Sequence, residues 1–371
     1  MAGAMGLLDY YRQFDDLDEE VINRELRERR ARERALALER VKTIDLSSSE
    51  WPDFPNSEIM NAAIYAARGR VNGYPDRHAT RVRETLAERH GVQPEQIVVG
   101  NGAAELLQLA TMVLLRGGEL VSPWPSYPLY PLMAQRAGGR PVPVEPSPDA
   151  VLDAVRDETR LVVICNPNDP TGTYLRSDEV GRLIGSLPDH VHVLLDEAYV
   201  QFQDVEPEDA CLRLVDAFPR LLVFRTFSKI YGLSGLRAGY VVGSTAAADI
   251  LSALAPALGI SVLTQVALAQ ALKIGDAEIA RRRALVIEQR GRVLNALHDM
   301  PVDAPDSQAN FVWLHASGLT GAELAGRLER AGVLVAHGGP LGADDHVRAS
   351  IRGAAATDRL LQALAGAVGA R

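Results

Sequence analysis

The stretch "LVVICNPNDPTGT" (residues 161–173) runs an apolar segment straight into two prolines, two asparagines, an aspartate and a glycine. A short β-branched run bounded by turn formers reads as a buried strand that stops at a polar turn. Such a turn either closes the strand or presents its polar groups to a ligand. The flanking sequence repeats the arrangement. "QIVVG" (96–100) precedes the amphipathic "AAELLQLATMVLL" (103–115), and "SDEVGRLIGSL" (177–187) follows the quoted turn. "HVHVLLDEAYV" (190–200) and "RLLVFRTFSK" (220–229) come next. Strand–helix alternation of this kind reads as a mainly parallel sheet in an α/β domain.

Beyond residue 270 the pattern changes. A long helical stretch, "AEIARRRALVIEQRGRVLNAL" (277–297), leads to strand-like "NFVWLH", helical "GAELAGRLERAG", then strand-like "VLVA" and "HVRASI" before a last helix. This reads as a smaller α+β lobe. The expected division is a charged helical arm over residues 1–50, a large ligand-binding domain over 51–270, and a small domain over 271–371. The small domain would be discontinuous, with the arm joining it or a partner subunit. In that arm the acids ("DDLDEE", 15–20) precede the arginines ("RELRERRARER", 24–34), an order that suits a helix dipole. Glu25 with Arg29 and Glu28 with Arg32 are i,i+4 pairs.

With 47% hydrophobic and 23% charged residues, the 371-residue chain has the composition of a globular protein with a large core. No apolar run approaches the length of a membrane span, and the first residues lack the pattern of a secretion signal. A net charge of −9 disfavours nucleic acid as a partner. Two cysteines, Cys165 and Cys211, both in apolar segments, point to a reducing compartment and hence to the cytoplasm.

Ligands of open α/β sheets bind beyond the carboxyl ends of the strands. Here those ends carry Asn101-Gly102-Ala103-Ala104, Asn166, Asp196 and Lys229. Backbone N–H groups at a helix start receive a phosphate. A buried strand-end acid calls for a cationic partner, and a pocketed lysine is a carbonyl nucleophile. The third glycine of a dinucleotide fingerprint is missing, because Glu105 stands there. Phosphate cradle, buried acid and buried amine together match pyridoxal 5'-phosphate.

In that light the chain resembles the fold type I pyridoxal-phosphate enzymes, the aspartate-aminotransferase superfamily, and within it the histidinol-phosphate aminotransferase group. The resemblance spans roughly residues 45–365. It rests, in order, on "YPD" (74–76), "GNGAAELL" (100–107), "PSYPLY" (125–130), "NPNDPTG" (166–172), "DEAY" (196–199), "SKIYGLSGLRAGY" (228–240), "SQANF" (307–311) and "VRASI" (347–351). It implies a mainly parallel seven-stranded sheet in the large domain and an aminotransferase acting on an L-amino acid and a 2-oxo acid, with glutamate and 2-oxoglutarate as one pair. A histidinol-phosphate aminotransferase proper, or a decarboxylase of the threonine-phosphate type, shares the same motifs.

By the same resemblance Lys229 is the Schiff-base lysine and the proton shuttle. Asp196 partners the ring nitrogen, Tyr199 the phenolic oxygen, and Tyr127 stacks on the ring. Gly102, Ala103 and Ala104, with Thr226, Ser228 and Arg237, form the phosphate cup. Tyr74 reaches the phosphate of a neighbouring subunit, which implies a homodimer with shared sites. Arg348 grips the substrate carboxylate, while Arg352 and Trp51 are further candidates for substrate contact.

Three departures stand out. Asp169 occupies the place of an asparagine that donates to the phenolic oxygen. An ionised aspartate cannot donate, so Asp169 is protonated, points away, or leaves the role to Asn166, Asn168 or Tyr199. Ala336 follows Val335 where phosphate-substrate members carry arginine, and the charged arm replaces their N-terminal tyrosine segment. The last two favour an ordinary amino acid as substrate. His190 and His192 share a strand face without a third ligand, so no metal site is expected. "HGGP" (337–340) reads as a loop, since no G-x-S-x-G elbow accompanies it.

Overall fold

The structure is a computed structural model, and it describes residues 43–369. The chain divides into two units. Of the described residues, one holds 49–288 with 306–310 and the other holds 43–48 with 289–305 and 311–369, while the charged arm expected over residues 1–50 lies, up to residue 42, outside them. β1 (Ile44–Asp45) lies in the second unit.

The larger unit is built on seven strands: β2 (Ile97–Gly100), β3 (Glu119–Pro123), β4 (Arg140–Val144), β5 (Thr159–Cys165), β6 (His192–Asp196), β7 (Leu221–Thr226) and β8 (Gly239–Val242). They lie in the order β2-β8-β7-β6-β5-β3-β4. Only β8 runs against its neighbours; β3, β4, β5, β6 and β7 pair in parallel. The central strands are buried along their length because helices cover both faces, which is why they read as unbroken apolar runs. β4, at the sheet edge, carries Pro141 and Pro143, residues that tolerate a missing ladder donor there.

One face packs helix Ala103–Leu115 and helix Leu129–Arg136 through Leu106, Leu107, Tyr130 and Met133 against Val163, Leu194 and Leu222. The other packs helix Ser177–Ser186 through Val180, Leu183 and Ile184 against Val162, Val193 and Val223. A third cluster joins helix Ser57–Arg70, helix Thr80–His90 and helix Val262–Ile274 through Ile59, Ala63, Leu86, Leu268 and Ala271. That packing holds residues 262–274 in the larger unit, whose boundary therefore falls at Glu288 rather than near residue 270. The long helix Asp276–Leu297 carries the boundary within it. Its first half is tied down by Arg282 on the Ile230 carbonyl (2.8 Å) and Arg283 on that of Gln203.

The smaller unit contains β9 (Val302–Asp303), β10 (Phe311–Ala316), β11 (Val333–Leu334), β12 (Ala336–His337) and β13 (His346–Ser350). An antiparallel sheet runs β12-β13-β10-β9, and β1 pairs in parallel with β11. Helix Gly321–Arg330 opens with a capping box, Thr320 and Glu323 satisfying each other's backbone N–H. Helix Ala354–Val368 ends at Gly369 in the left-handed region. No helix among the described residues is long and apolar enough to cross a membrane.

Candidate active site

Because β2 and β5–β7 point the same way, their carboxyl ends bring residues scattered from 100 to 229 to one edge of the larger unit's sheet. β2 stops at Gly100, and Gly102 turns the chain at φ +97° into helix Ala103–Leu115. Here the backbone requires glycine. The positive φ is open to it alone, and a Cβ on Gly102 would stand 2.6 Å from the Arg237 guanidinium. Gly239, opposite both Gly100 and Thr226, lets β8 approach the start of the same helix; a Cβ there would meet the Ala103 nitrogen at 2.4 Å.

Thr226 ends β7 and accepts the Ser228 N–H (3.1 Å) while its hydroxyl donates to Ser228 Oγ (2.9 Å). Arg237, itself at φ +49°, donates to the Ser234 carbonyl (3.0 Å) and reaches Ser228 Oγ at 3.4 Å. A helix amino end, two hydroxyls and an exposed guanidinium thus surround a place where a Cβ would not fit. The donor set is that of a phosphate site.

Asp196 ends β6, 5% exposed. Its carboxylate accepts from the Tyr130 hydroxyl at 2.9 Å and from the Ala198 N–H at 3.1 Å. Burial raises its pKa to about 6 against the lowering effect of those two bonds, and the charge of Asp169 raises it further. Both of these donors are neutral, so the carboxylate matches a protonated ring nitrogen. Tyr130 itself escaped the sequence reading, although it lies in "PSYPLY". Its pKa is pushed well up by burial and by Asp196, which keeps it a donor. Tyr127 packs edge-on against Tyr130, ring centroids 5.4 Å apart, and burial followed by the charges of Asp196 and Asp169 pushes its pKa to about 12.

The "NPNDPTG" turn resolves differently from any single expectation. Asn166 uses its carboxamide on Leu175, donating to the carbonyl and accepting the N–H, both at 2.8 Å. Asn168 donates to the Pro125 carbonyl (3.0 Å) and to Thr171 (2.9 Å) and accepts from Ser126 (2.7 Å). Both amide protons of Asn168 are therefore engaged within the protein, and both asparagines brace the turn. Gly172, at φ +76°, holds the turn against Ser307, where a Cβ would meet Oγ at 2.1 Å. Asp169, 4% exposed, faces Tyr199, whose hydroxyl donates to it at 2.9 Å.

Ser49, absent from the sequence reading, completes the group. Its hydroxyl lies 2.9 Å from that of Tyr199, and the Lys229 ammonium donates to it at 2.8 Å. Asn310 holds the Ser49 carbonyl at 3.0 Å. The Lys229 nitrogen also sits over the Tyr199 ring, 5.0 Å from its centroid. The chain contains three lysines, Lys42, Lys229 and Lys273, and among the described residues Lys229 is the one at this strand-end cluster.

Of the three expected substrate contacts, Trp51 lies in the larger unit and Arg348 and Arg352 in the smaller. Trp51 is buried beneath Arg282, whose guanidinium carbon is 4.7 Å from the indole centroid, so that ring face is covered. In the smaller unit Arg348 lies on β13, its guanidinium over Phe311 and donating to the Ser47 carbonyl (3.1 Å). β13 ends at Ser350, and the half-buried Arg352 donates to the Ser48 carbonyl at 3.1 Å. Tyr74, in the larger unit, is 87% exposed.

Behind Asp196 the site rests on a buried ionic group. Arg225 is fully buried and pairs with Glu197 (2.7 Å) and Asp209 (2.6 Å); Asp209 also holds His90, which meets the Tyr240 hydroxyl at 2.9 Å. Burial, with the neighbouring Asp209 and Glu208 charges, outweighs Arg225 and raises the Glu197 pKa to about 7. Asp209 is held low by His90 and Arg225 in spite of burial.

The family model described as aminotransferase class I and II matches residues 41–368. An aromatic amino acid aminotransferase of Corynebacterium efficiens is 38% identical over 328 residues, covering 86% of this chain and 92% of the relative. A histidinol-phosphate aminotransferase of Rubrobacter xylanophilus is 37% identical, covering 86% and 91%. The solved histidinol-phosphate aminotransferase of Sinorhizobium meliloti, in complex with pyridoxal-5'-phosphate, superposes with a TM-score of 0.76 at 26% identity, covering 90% and 94%.

Proposed function

Since the chain belongs to the class I and II aminotransferases, we propose that it moves an amino group between an aromatic L-amino acid and a 2-oxo acid, with glutamate and 2-oxoglutarate as one pair. Pyridoxal 5'-phosphate is its cofactor. When bound, it supplies an aldehyde for a lysine amine and a protonated ring that draws electrons from the substrate's α-carbon.

Lys229 is the amine we assign to the aldehyde, and the base that moves the proton at the α-carbon. Asp196 holds the ring nitrogen's proton, and Tyr130 keeps that carboxylate charged and in place. Tyr127 would lie against the ring. The amino end of helix Ala103–Leu115, with Thr226, Ser228 and Arg237, takes the phosphate. Arg348 grips the substrate carboxylate as a bidentate fork.

The aromatic assignment rests on the name that the Corynebacterium efficiens relative bears; Ala336 in place of an arginine is consistent with it. A histidinol-phosphate aminotransferase is the second reading, favoured by the name of the Rubrobacter xylanophilus relative. The test is a half-reaction screen of the purified holoenzyme with each amino acid and with histidinol phosphate, followed by cofactor absorbance. Fastest conversion with phenylalanine, tyrosine or tryptophan supports the first reading. Fastest conversion with histidinol phosphate supports the second. Carbon dioxide release without amino transfer overturns both.

The working unit in this proposal is a homodimer with shared sites. Tyr74 lines a cavity of about 530 Å³ with Asp76, Arg70 and Gln265, and Phe54, Tyr65 and Val71 are exposed in the same segment of chain. A second copy would cover these apolar side chains. The buried thiols Cys165 and Cys211 fit a cytoplasmic enzyme.

A further inference from the structure

We propose that Asp169 is a positioning residue for Lys229, acting through Tyr199 and Ser49 to hold the lysine nitrogen in its protonated form. The four groups form one line of contacts in the larger unit: Lys229 to Ser49 at 2.8 Å, Ser49 to Tyr199 at 2.9 Å, Tyr199 to Asp169 at 2.9 Å. Tyr199, Ser49 and Asp169 are all buried.

The direction of that line follows from proton counting. An ionised carboxylate only accepts, so the single Tyr199 hydroxyl proton goes to Asp169. Tyr199 oxygen must then accept from Ser49, which has one hydroxyl proton to give. Ser49 oxygen in turn accepts from Lys229. The order Lys229 to Ser49 to Tyr199 to Asp169 is thereby fixed, with a cation at one end and an anion at the other. Successive bonds of one direction polarise each other. An asparagine at position 169 would donate as readily as accept, and would leave the line with no fixed direction and no terminal charge.

Two consequences follow for this chain. Tyr199 has its proton committed to Asp169, so it meets any further oxygen as an acceptor. The lysine nitrogen gives up its proton only at higher pH than it would beside an amide. Other ionisable groups near this cluster include Asp196 from β6, whose carboxyl senses both Lys229 and Asp169, and Tyr127 and Cys165, which both sense Asp169. Arg282 approaches the Ile230 carbonyl, one residue beyond the lysine.

The inference rests on the reading of Lys229 as the cofactor-bearing lysine, and the experiment separates the two. Borohydride reduction of the holoenzyme followed by peptide mapping places the cofactor on a lysine. A label on Lys42 or Lys273 overturns both. With the label on Lys229, the absorbance band of the lysine-bound cofactor is titrated against pH in wild type, Asp169→Asn, Ser49→Ala and the double variant. The midpoint is expected to fall by about one pH unit in Asp169→Asn, the effect of losing a nearby opposite charge. In the Ser49→Ala background the same substitution should move it by less than half as much.

A second measurement needs no cofactor. The three lysines of the apoprotein are reductively methylated with ¹³C-formaldehyde and the Lys229 resonance is followed by NMR, where the same ordering of midpoints is expected. An unchanged midpoint in Asp169→Asn, or an undiminished shift without Ser49, overturns the inference while leaving the aminotransferase reading intact.

Discussion

Tyr130 donates its hydroxyl to Asp196 at 2.9 Å, and both side chains are buried at the carboxyl edge of the sheet. The bond stabilises the charged form of a carboxylate whose burial favours the neutral one. Tyr130→Phe should therefore push the Asp196 pKa above 6 and weaken its hold on a protonated ring. A hydrogen bond to a charged group is worth about 1.5–3 kcal/mol, or roughly ten- to hundredfold in affinity. Cofactor titration of the apoprotein measures it. An unchanged dissociation constant would show that the tyrosine is packing only.

Asp196 also sets a pH dependence of the apoprotein. Its folded pKa of about 6 lies above the unfolded value of 3.8, so the folded state holds the proton more tightly. Its effect on stability is absent at low pH and grows unfavourable as pH rises from about 4 through about 6. Asp196→Asn removes that penalty, which is about 3 kcal/mol at most, each tenfold gain in proton affinity being worth about 1.4 kcal/mol. At about pH 7.5 the apo variant should melt at or above wild type, yet gain little on adding cofactor. At about pH 4 the apo difference should vanish. Calorimetry with and without cofactor reads both.

Gly102 tests the phosphate cradle. Gly102→Ala places a Cβ 2.6 Å from the Arg237 guanidinium in a backbone region at φ +97° that disfavours side chains. Strain of about 1–3 kcal/mol and displacement of Arg237 should weaken pyridoxal phosphate roughly tenfold or more. Pyridoxal without its phosphate should bind the variant and wild type alike. Equal weakening of both would move the phosphate away from this turn.

Arg225→Met should destabilise the protein by about 3–5 kcal/mol, since it leaves the fully buried Glu197 without its cation and leaves the partly buried Asp209 to His90. Glu197 has a folded pKa of about 7, above the unfolded 4.5, so its ionisation lowers stability as pH climbs through that window. Removing Arg225 deepens the effect. The gap in Tm between variant and wild type should widen from about pH 6 to about pH 8.5.

Much of this was legible along the chain. Val162, Val163 and Ile164 mark a strand because β-branched runs between turn formers are local signals, and β5 spans them. Asp196 and Lys229 stood out because a strand end followed by a polar or basic residue is visible without knowing any neighbour. The division at Glu288 was not legible for the opposite reason. Helix Val262–Ile274 is amphipathic wherever it packs, and its attachment to helix Ser57–Arg70 depends on residues some two hundred positions earlier.

The doubt over Asp169 shows where the division lies. Residue types at the strand ends alone placed Asn166, Asp196 and Lys229 at one sheet edge. Only the tertiary structure decided that Asn166 and Asn168 brace their own turn and that Tyr199 turns its proton to Asp169. It alone brought Ser49, 180 residues away in sequence, between that tyrosine and Lys229. The reason is physical: periodicity is a property of consecutive residues, whereas a buried polar atom takes its partner from whichever segment packing brings within about 3 Å.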